Sequence, residues 1–282
     1  MSYRTALIDG SGFAKAAYVP EKRALCHRFI QRIFSLMITN PGIKIYVAWD
    51  PFDNVSKRVE RFPDYKKSRR IKVIDKNYLY ELRNLFELLS FLGVDQGWSI
   101  GWEADDILGT LARIVPDPII VLTRDRDMMQ LVTDKCYVLI KIKSKEIVYT
   151  PSLILKQRGI PVNLITDWKA LAGDSGDDVP GIKGIGEKTA TEILIAYPNT
   201  VKYILENSYC PEFHDKKLTK RTWNLLYNAS REAEKLRLMK WLVELHDVPI
   251  TFLKGKKDLK RAKIELRNSG LVILSSRVRE LL

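Results

Sequence analysis

Histidine and cysteine are scarce, three of each in 282 residues. Cys26, Cys136 and Cys210 are odd in number and widely separated, so they fit neither a disulfide framework nor a thiolate zinc site and point to a reducing compartment. His27, His214 and His246 are equally isolated. Any metal must therefore be held by oxygen, which points to Mg²⁺ or Mn²⁺. No apolar run approaches the length of a membrane span, and the opening MSYRTALIDG has no signal-peptide pattern. The expectation is a cytoplasmic protein with no membrane partner. Acidic residues are in deficit, 34 against 47 Lys and Arg, a formal charge of +13 and a pI near 9.5. Such a surplus points to a polyanionic partner, most often nucleic acid. The apolar fraction of 46% is that of a globular chain, long enough for one large domain or two closely packed ones.

Apolar runs alternate with amphipathic ones over the first half. YRTALID, IKIYVAWD and PIIVLT read as buried strands, and YVLIKIK with EIVYT as a strand pair. RALCHRFIQRIFSLMI and KNYLYELRNLFELLSFLG read as helices, the second closed by Gly93. This alternation predicts an α/β fold, with a mainly parallel central sheet flanked by helices. Residues 51–75 are polar and basic with little periodicity, and from Pro151 to about residue 246 the pattern is wholly helical.

Against its basic background the chain concentrates carboxylates. GWEADDILGTLA places Glu103, Asp105 and Asp106 at the start of an amphipathic helix. One or two acidic residues there complement the helix dipole, but three within four positions repel one another. Asp9 and Asp50 end apolar strands, and Asp125 and Asp127 follow a third. In open α/β sheets the carboxyl ends of the strands form the ligand crevice. Asp174 and Asp177 lie in the loop LAGDSGDDVPG. Nine clustered carboxylates need counter-ions. Two Mg²⁺ or Mn²⁺ ions would neutralise them and support in-line displacement at a phosphodiester.

Between two acidic motifs lies SKRVERFPDYKKSRR, with Lys57, Arg58, Arg61, Lys66, Lys67, Arg69 and Arg70 beside Phe62 and Tyr65. Cations interleaved with aromatic rings suit a path for single-stranded nucleic acid. In GIKGIGEKTATEIL, Gly181, Gly184 and Gly186 permit a tight hairpin leading into a helix whose first amides suit a phosphate, with Lys183 and Lys188 adding charge. KGKKDLKRAKIELR, near the end, is basic and reads equally as a duplex contact or a solvated face.

Together LIDG, WEADD, TRDRDMMQLV and LAGDSGDDVPGIKGIGEKTA resemble, in order and spacing, the blocks of the 5′-nuclease family, and RFPDYKKSR resembles its arch motif. That family includes flap endonucleases, phage 5′–3′ exonucleases and the N-terminal nuclease domain of bacterial DNA polymerases. The resemblance covers nearly all of residues 3–230. It implies a PIN-like nuclease core over 1–165 with an arch at about 51–75. It also implies a helical DNA-binding region over 166–282, with a helix–hairpin–helix at about 173–196. One ion would engage Asp9, Asp50, Glu103 and Asp105, and the other Asp106, Asp125, Asp127, Asp174 and Asp177. Tyr65, Lys66 and Arg69 match arch residues that steer and hold the cleaved phosphate. Arg58, Lys67 and Arg70 would add DNA contacts, and the hairpin would grip duplex, with K⁺ bound there. The implied substrate is branched DNA with a 5′ single-stranded end at a flap, nick or overhang, and RNA primer–DNA hybrids. The implied enzyme is a monomer, stand-alone because no polymerase domain follows. Asp178 departs from the pattern, since many relatives carry Asn there. A non-catalytic relative would have lost ligands, whereas all nine positions are filled. Ribonucleases of related fold usually carry fewer carboxylates and lack the glycine hairpin.

Overall fold

The structure, a computed structural model, describes residues 3–19, 24–51, 56–69, 75–116, 118–142, 145–208 and 217–281. In chain order the elements begin with β1 (Thr5–Asp9), α1 (Gly10–Ala17), α2 (Ala24–Thr39), β2 (Lys44–Trp49), α3 (Lys57–Arg61), α4 (Lys76–Phe91), β3 (Asp95–Trp98) and α5 (Ala104–Ile114). They continue with β4 (Ile119–Thr123), β5 (Cys136–Ile142), β6 (Lys145–Tyr149), α6 (Pro151–Arg158), α7 (Ile165–Ala172), α8 (Glu187–Ala196) and α9 (Thr200–Asn207). The chain ends with α10 (Lys220–Arg231), α11 (Ala233–Val243), β7 (Thr251–Leu253), α12 (Leu259–Asn268) and α13 (Val272–Arg277). Packing divides the chain into two compact units.

The first unit comprises Met1–Ser56, Ile71–Val148 and Leu245–Leu282. Its seven strands run in the order β6-β5-β4-β1-β2-β3-β7. β1 pairs parallel with β2 and β4, β2 with β3, and β4 with β5, whereas β7 runs antiparallel to β3. Every residue of β1 and β4 is buried, as expected of strands covered on both faces. On one face Trp49 stacks between Phe29 of α2 and Phe86 of α4, with ring centroids at 5.9 and 4.6 Å. The expected strands and helices are present, and two strands join them. β3 is four residues long and β7 three, both too short to carry an apolar run.

The second unit comprises Lys57–Arg70 and Tyr149–Glu244. Its core gathers Ile160, Trp168, Leu171, Ile193 and Ile204 with Leu226, Leu236 and Met239. α7, the loop 173–186 and α8 form the expected helix–hairpin–helix. The division departs from a boundary at residue 165 in two places. Leu245–Leu282 belongs to the sheet unit, because β7 extends the sheet edge. The described part of the basic stretch, 57–69, belongs to the helical unit, as α3 and a 3₁₀ turn at Lys67–Arg69. The rest of the expected arch, 52–55 and 70–74, lies outside the described residues, and with it Arg70.

Candidate metal and nucleic-acid site

β1 sits between β4 and β2, so the connections leave in opposite directions on either side of it. A ligand crevice is expected at the carboxyl ends of β1 and β4, where that reversal falls. Asp9 ends β1 there and caps α1, its Oδ1 accepting the Gly12 N–H at 2.7 Å. A Cβ on Gly12 would stand 2.1 Å from Asp9 Oδ2, so the cap requires glycine at that position. Thr123, last in β4, donates its hydroxyl to Asp9 Oδ2 (3.2 Å) and accepts the Asp125 N–H (2.9 Å). Asp125 in turn accepts the Asp127 N–H at 2.8 Å. Asp50 follows β2. Its N–H donates to Ser11 Oγ (2.7 Å), its Oδ1 accepts the first N–H of α5 from Ala104 (3.1 Å), and its Oδ2 pairs with Lys15 at 2.9 Å.

These carboxylates act on one another. Burial first, then repulsion from Asp50 and Asp125, pushes the Asp9 carboxyl up to about 6 from 3.8, against the lowering hydrogen bonds from Gly12 and Thr123. A hard cation bound beside them would relieve that repulsion. Glu103 caps α5, with Asp105 half-buried in its first turn. Asp106 is fully buried, and each of its oxygens already accepts a backbone N–H, from Glu103 (3.3 Å) and His246 (3.0 Å).

In the helical unit the loop after α7 is closed by paired backbone bonds between Asp174 and Val179. Asp174 Oδ1 accepts the Gly176 N–H at 2.9 Å, and Oδ2 lies 2.5 Å from Lys169 Nζ. Burial works to raise this carboxyl, but Lys169 and the Gly176 and Asp177 amides outweigh it and hold it below the ordinary value. The motif expected to steer phosphate docks on this same loop. Tyr65 donates its hydroxyl to Asp177 Oδ2 (3.2 Å), Lys66 Nζ lies 3.6 Å from Oδ2, and Arg69 Nη1 lies 3.1 Å from Oδ1. The Lys66 N–H donates to the Asp177 carbonyl. Asp178 accepts both the N–H and the hydroxyl of Ser68, which hold its carboxyl below the ordinary range.

Two expected contacts take other places. Arg58, expected to touch DNA, is buried. Its guanidinium donates to the carbonyls of Leu242 (2.9 Å) and Glu244 (2.7 Å) at the end of α11. Tyr65 keeps its ring in the core of the helical unit, presenting only the hydroxyl to Asp177. Lys67, Lys183, Gly184, Gly186 and Lys188 are exposed, and Gly181 is buried. The cations that neutralise the strand-end and loop carboxylates, Lys15 and Lys169, carried no sequence signal, since each sits alone in its helix.

A parallel sheet with carboxylates along its strand ends, joined in one chain to a helical unit with a glycine hairpin, defines a resolvase-like domain coupled to a SAM-type one. Residues 4–159 match the 5′-3′ exonuclease N-terminal resolvase-like domain, and 160–265 the 5′-3′ exonuclease C-terminal SAM fold. The chain belongs to the 5′–3′ exonuclease family. It is 34% identical to a Bacillus subtilis 5′-3′ exonuclease over 183 residues, 64% of this chain and 60% of that protein. Its fold is similar to that of the bacteriophage T5 D15 protein crystallised with metal ions, with TM-score 0.67, 22% identity, and 98% and 97% of the two chains covered. A complex of T5 D15 flap endonuclease with DNA and metal ions superposes with TM-score 0.64 at 18% identity, over 98% of this chain and 97% of that one.

Proposed function

We propose that this protein is a divalent-metal-dependent 5′ nuclease that hydrolyses phosphodiester bonds of DNA at 5′ flaps and single-strand/duplex junctions, with 5′–3′ exonuclease activity. The observation that carries the reading is the strand-end group Asp9, Asp50 and Asp125, set at the carboxyl ends of β1, β2 and β4, with the Thr123 hydroxyl bonded to both Asp9 and Asp125. The donor set fits the ions, because every candidate ligand is a carboxylate and no His or Cys competes. Asp9, Asp50, Glu103, Asp105, Asp106, Asp125, Asp127, Asp174 and Asp177 would hold two Mg²⁺ or Mn²⁺ ions, and Asp106 would also fix the turn that opens α5. Bound there, such ions supply charge stabilisation to both the attacking and the leaving oxygen.

The chain's own groups position the strand. Lys66 and Arg69, already ordered on Asp177, present positive charge to a phosphate. Lys183 and Lys188 stand exposed on the hairpin, where backbone contacts with duplex carry no sequence preference. K⁺ at the hairpin, action on RNA primer–DNA hybrids and a monomeric state belong to the same proposal. The test is product sizing on a 5′-labelled flap beside a nicked duplex. Cleavage at the junction with Mg²⁺ or Mn²⁺ and none with excess chelator is expected, and full activity in chelator overturns the reading.

A further inference from the structure

The carboxyl edge of the sheet unit has a second feature, of opposite sign. A cleft of about 500 Å³ opens between α1, α2 and the ends of β4, β5 and β6. Phe13 and Phe29 line it with Arg28, Arg32, Arg124 and Lys141, and its one carboxylate is Glu146. Arg32 and Glu146 neutralise each other at 3.0 Å, while Arg32 Nε is buried with no acceptor. Arg28 gives one N–H to the Ala17 carbonyl at 3.4 Å. Arg124 and Lys141 have no partner among the described residues, and Arg124 directly precedes Asp125.

Solvated cations on a convex surface repel little and need no explanation. Cations that line a concavity focus their field on whatever enters it, and this concavity adjoins the carboxylates where the scissile bond would lie. Its chemistry is mixed: guanidinium and ammonium groups match phosphate oxygens, and an aromatic ring with alanines beside it matches a base. A cleft of this size holds about one or two nucleotides, and a duplex is too wide to enter it.

We propose that this cleft binds an unpaired stretch of the nucleic-acid strand, with phosphates on Arg28, Arg124 and Lys141 and a base against Phe13. The proposal rests on the nuclease reading for its ligand class, but it is tested without cleavage. Full-length protein in EDTA is titrated by fluorescence anisotropy against a blunt hairpin duplex and the same duplex with a 5′ tail of six thymidines. Thymidine 5′-monophosphate serves as a separate probe. The wild type should bind the tailed duplex about tenfold more tightly than the blunt one. Arg124→Ser with Lys141→Ser, both positions being at least partly exposed and outside the carboxylate set, should cut that advantage to about threefold or less. The tailed probe should also lose about 1.4 from its log–log salt slope, the single-strand value for two phosphate contacts, while blunt-duplex binding stays unchanged. Equal weakening of both probes, an undiminished tail advantage, or no advantage in the wild type would each overturn the cleft. So would thymidine monophosphate binding as tightly as the tail contributes, which would make this a free-nucleotide site. Loss of the tail effect in the double variant alongside failed Mg²⁺-dependent cleavage would sink the nuclease reading and leave the cleft standing.

Discussion

Asp9 is the residue at which function and stability pull in opposite directions. Its carboxyl is pushed up to about 6 from 3.8, so the folded protein binds this proton more tightly than the unfolded chain does. The stabilisation from that proton is complete below about 3.8 and is lost as pH rises through about 6. The shift corresponds to roughly 3 kcal/mol at 1.36 kcal/mol per unit. Asp9→Asn keeps an oxygen for the Gly12 N–H and removes the charge. In EDTA, the stability of Asp9→Asn relative to wild type should rise by about that amount between pH 4 and pH 7.5, read from urea midpoints. Mg²⁺ should narrow the gap at pH 7.5 by stabilising wild type alone. A difference that does not change with pH removes the electrostatic account of this site. Arg58 makes the complementary case, a cation spent on structure. It donates to the carbonyls of Leu242, buried with it, and of Glu244, partly buried, at the end of α11. Arg58→Ala should cost roughly 3 kcal/mol in unfolding free energy, since hydrogen bonds to a charged donor are worth about 1.5–3 kcal/mol each. The salt slope of DNA binding should not move. A slope that falls by about one contact, with unchanged stability, would return Arg58 to the DNA surface.

Among the elements, the hairpin between α7 and α8 shows how differently three glycines are constrained. Gly181 has φ +65°, and a Cβ there would lie 2.4 Å from the Gly173 nitrogen and 2.7 Å from the Ala172 carbonyl carbon. Those are backbone atoms that cannot swing aside. Gly184 shares the left-handed conformation at φ +85°, but a Cβ on it would meet only the end of the Leu225 side chain. Gly186, with φ −96°, has open space around it. Gly181→Ala should therefore cost about 3 kcal/mol or more, strain of about 1–3 kcal/mol plus the clash. Gly186→Ala should be neutral or stabilising by up to about 1 kcal/mol. Thermal unfolding of the two variants separates them, and equal effects would mean that the hairpin is not built this way.

β1, β2 and β4 were legible because their apolar runs are local, whereas the glycine spacing marked the hairpin without showing that Gly181 is bound by Gly173 and Gly186 by nothing. β3 was not legible, because DQGW is a short strand whose first two residues are polar and buried. Gln96 is tied to the Trp49 indole and the Phe86 carbonyl, and Asp95 to Lys254 and Gly255. Partners that distant cannot be read from a window of sequence. The same limit applies at the site. Strand-end position exposed Asp9, Asp50 and Asp125, whereas the His246 amide that occupies Asp106 lies 140 residues away along the chain. The three carboxylates of GWEADD all remain ligand candidates, and Asp106 in addition is a buried cap.

At the scale of the whole molecule, under the proposed function a net charge of +13 would supply affinity for DNA without supplying catalysis, and two lysines separate these contributions. Lys183 is exposed in the hairpin, where the proposed function has a positive charge meet backbone phosphate. Lys66 has only 22% of its side chain exposed. It is ordered beside Asp177 at 3.6 Å, and its left-handed backbone at φ +50° is held by the Asp177 carbonyl. Such preorganisation suits stabilisation of charge that develops in the transition state. Single-turnover cleavage of a flap substrate with Mg²⁺ distinguishes the two roles. Lys183→Ala should recover most of its rate when enzyme saturates the substrate, and its log–log salt slope should be shallower by about 0.9, one duplex phosphate contact. Lys66→Ala should stay slow at any enzyme concentration, by about a hundredfold if the charge contributes the roughly 2.7 kcal/mol of a single preorganised donor. Its affinity measured in EDTA should match wild type, because one partly buried ammonium among 47 basic residues adds little to the field that gathers DNA. If saturation rescues Lys66→Ala and leaves Lys183→Ala slow, the ordered segment on Asp177 grips DNA and the hairpin serves the chemical step, the reverse of the assignment made here.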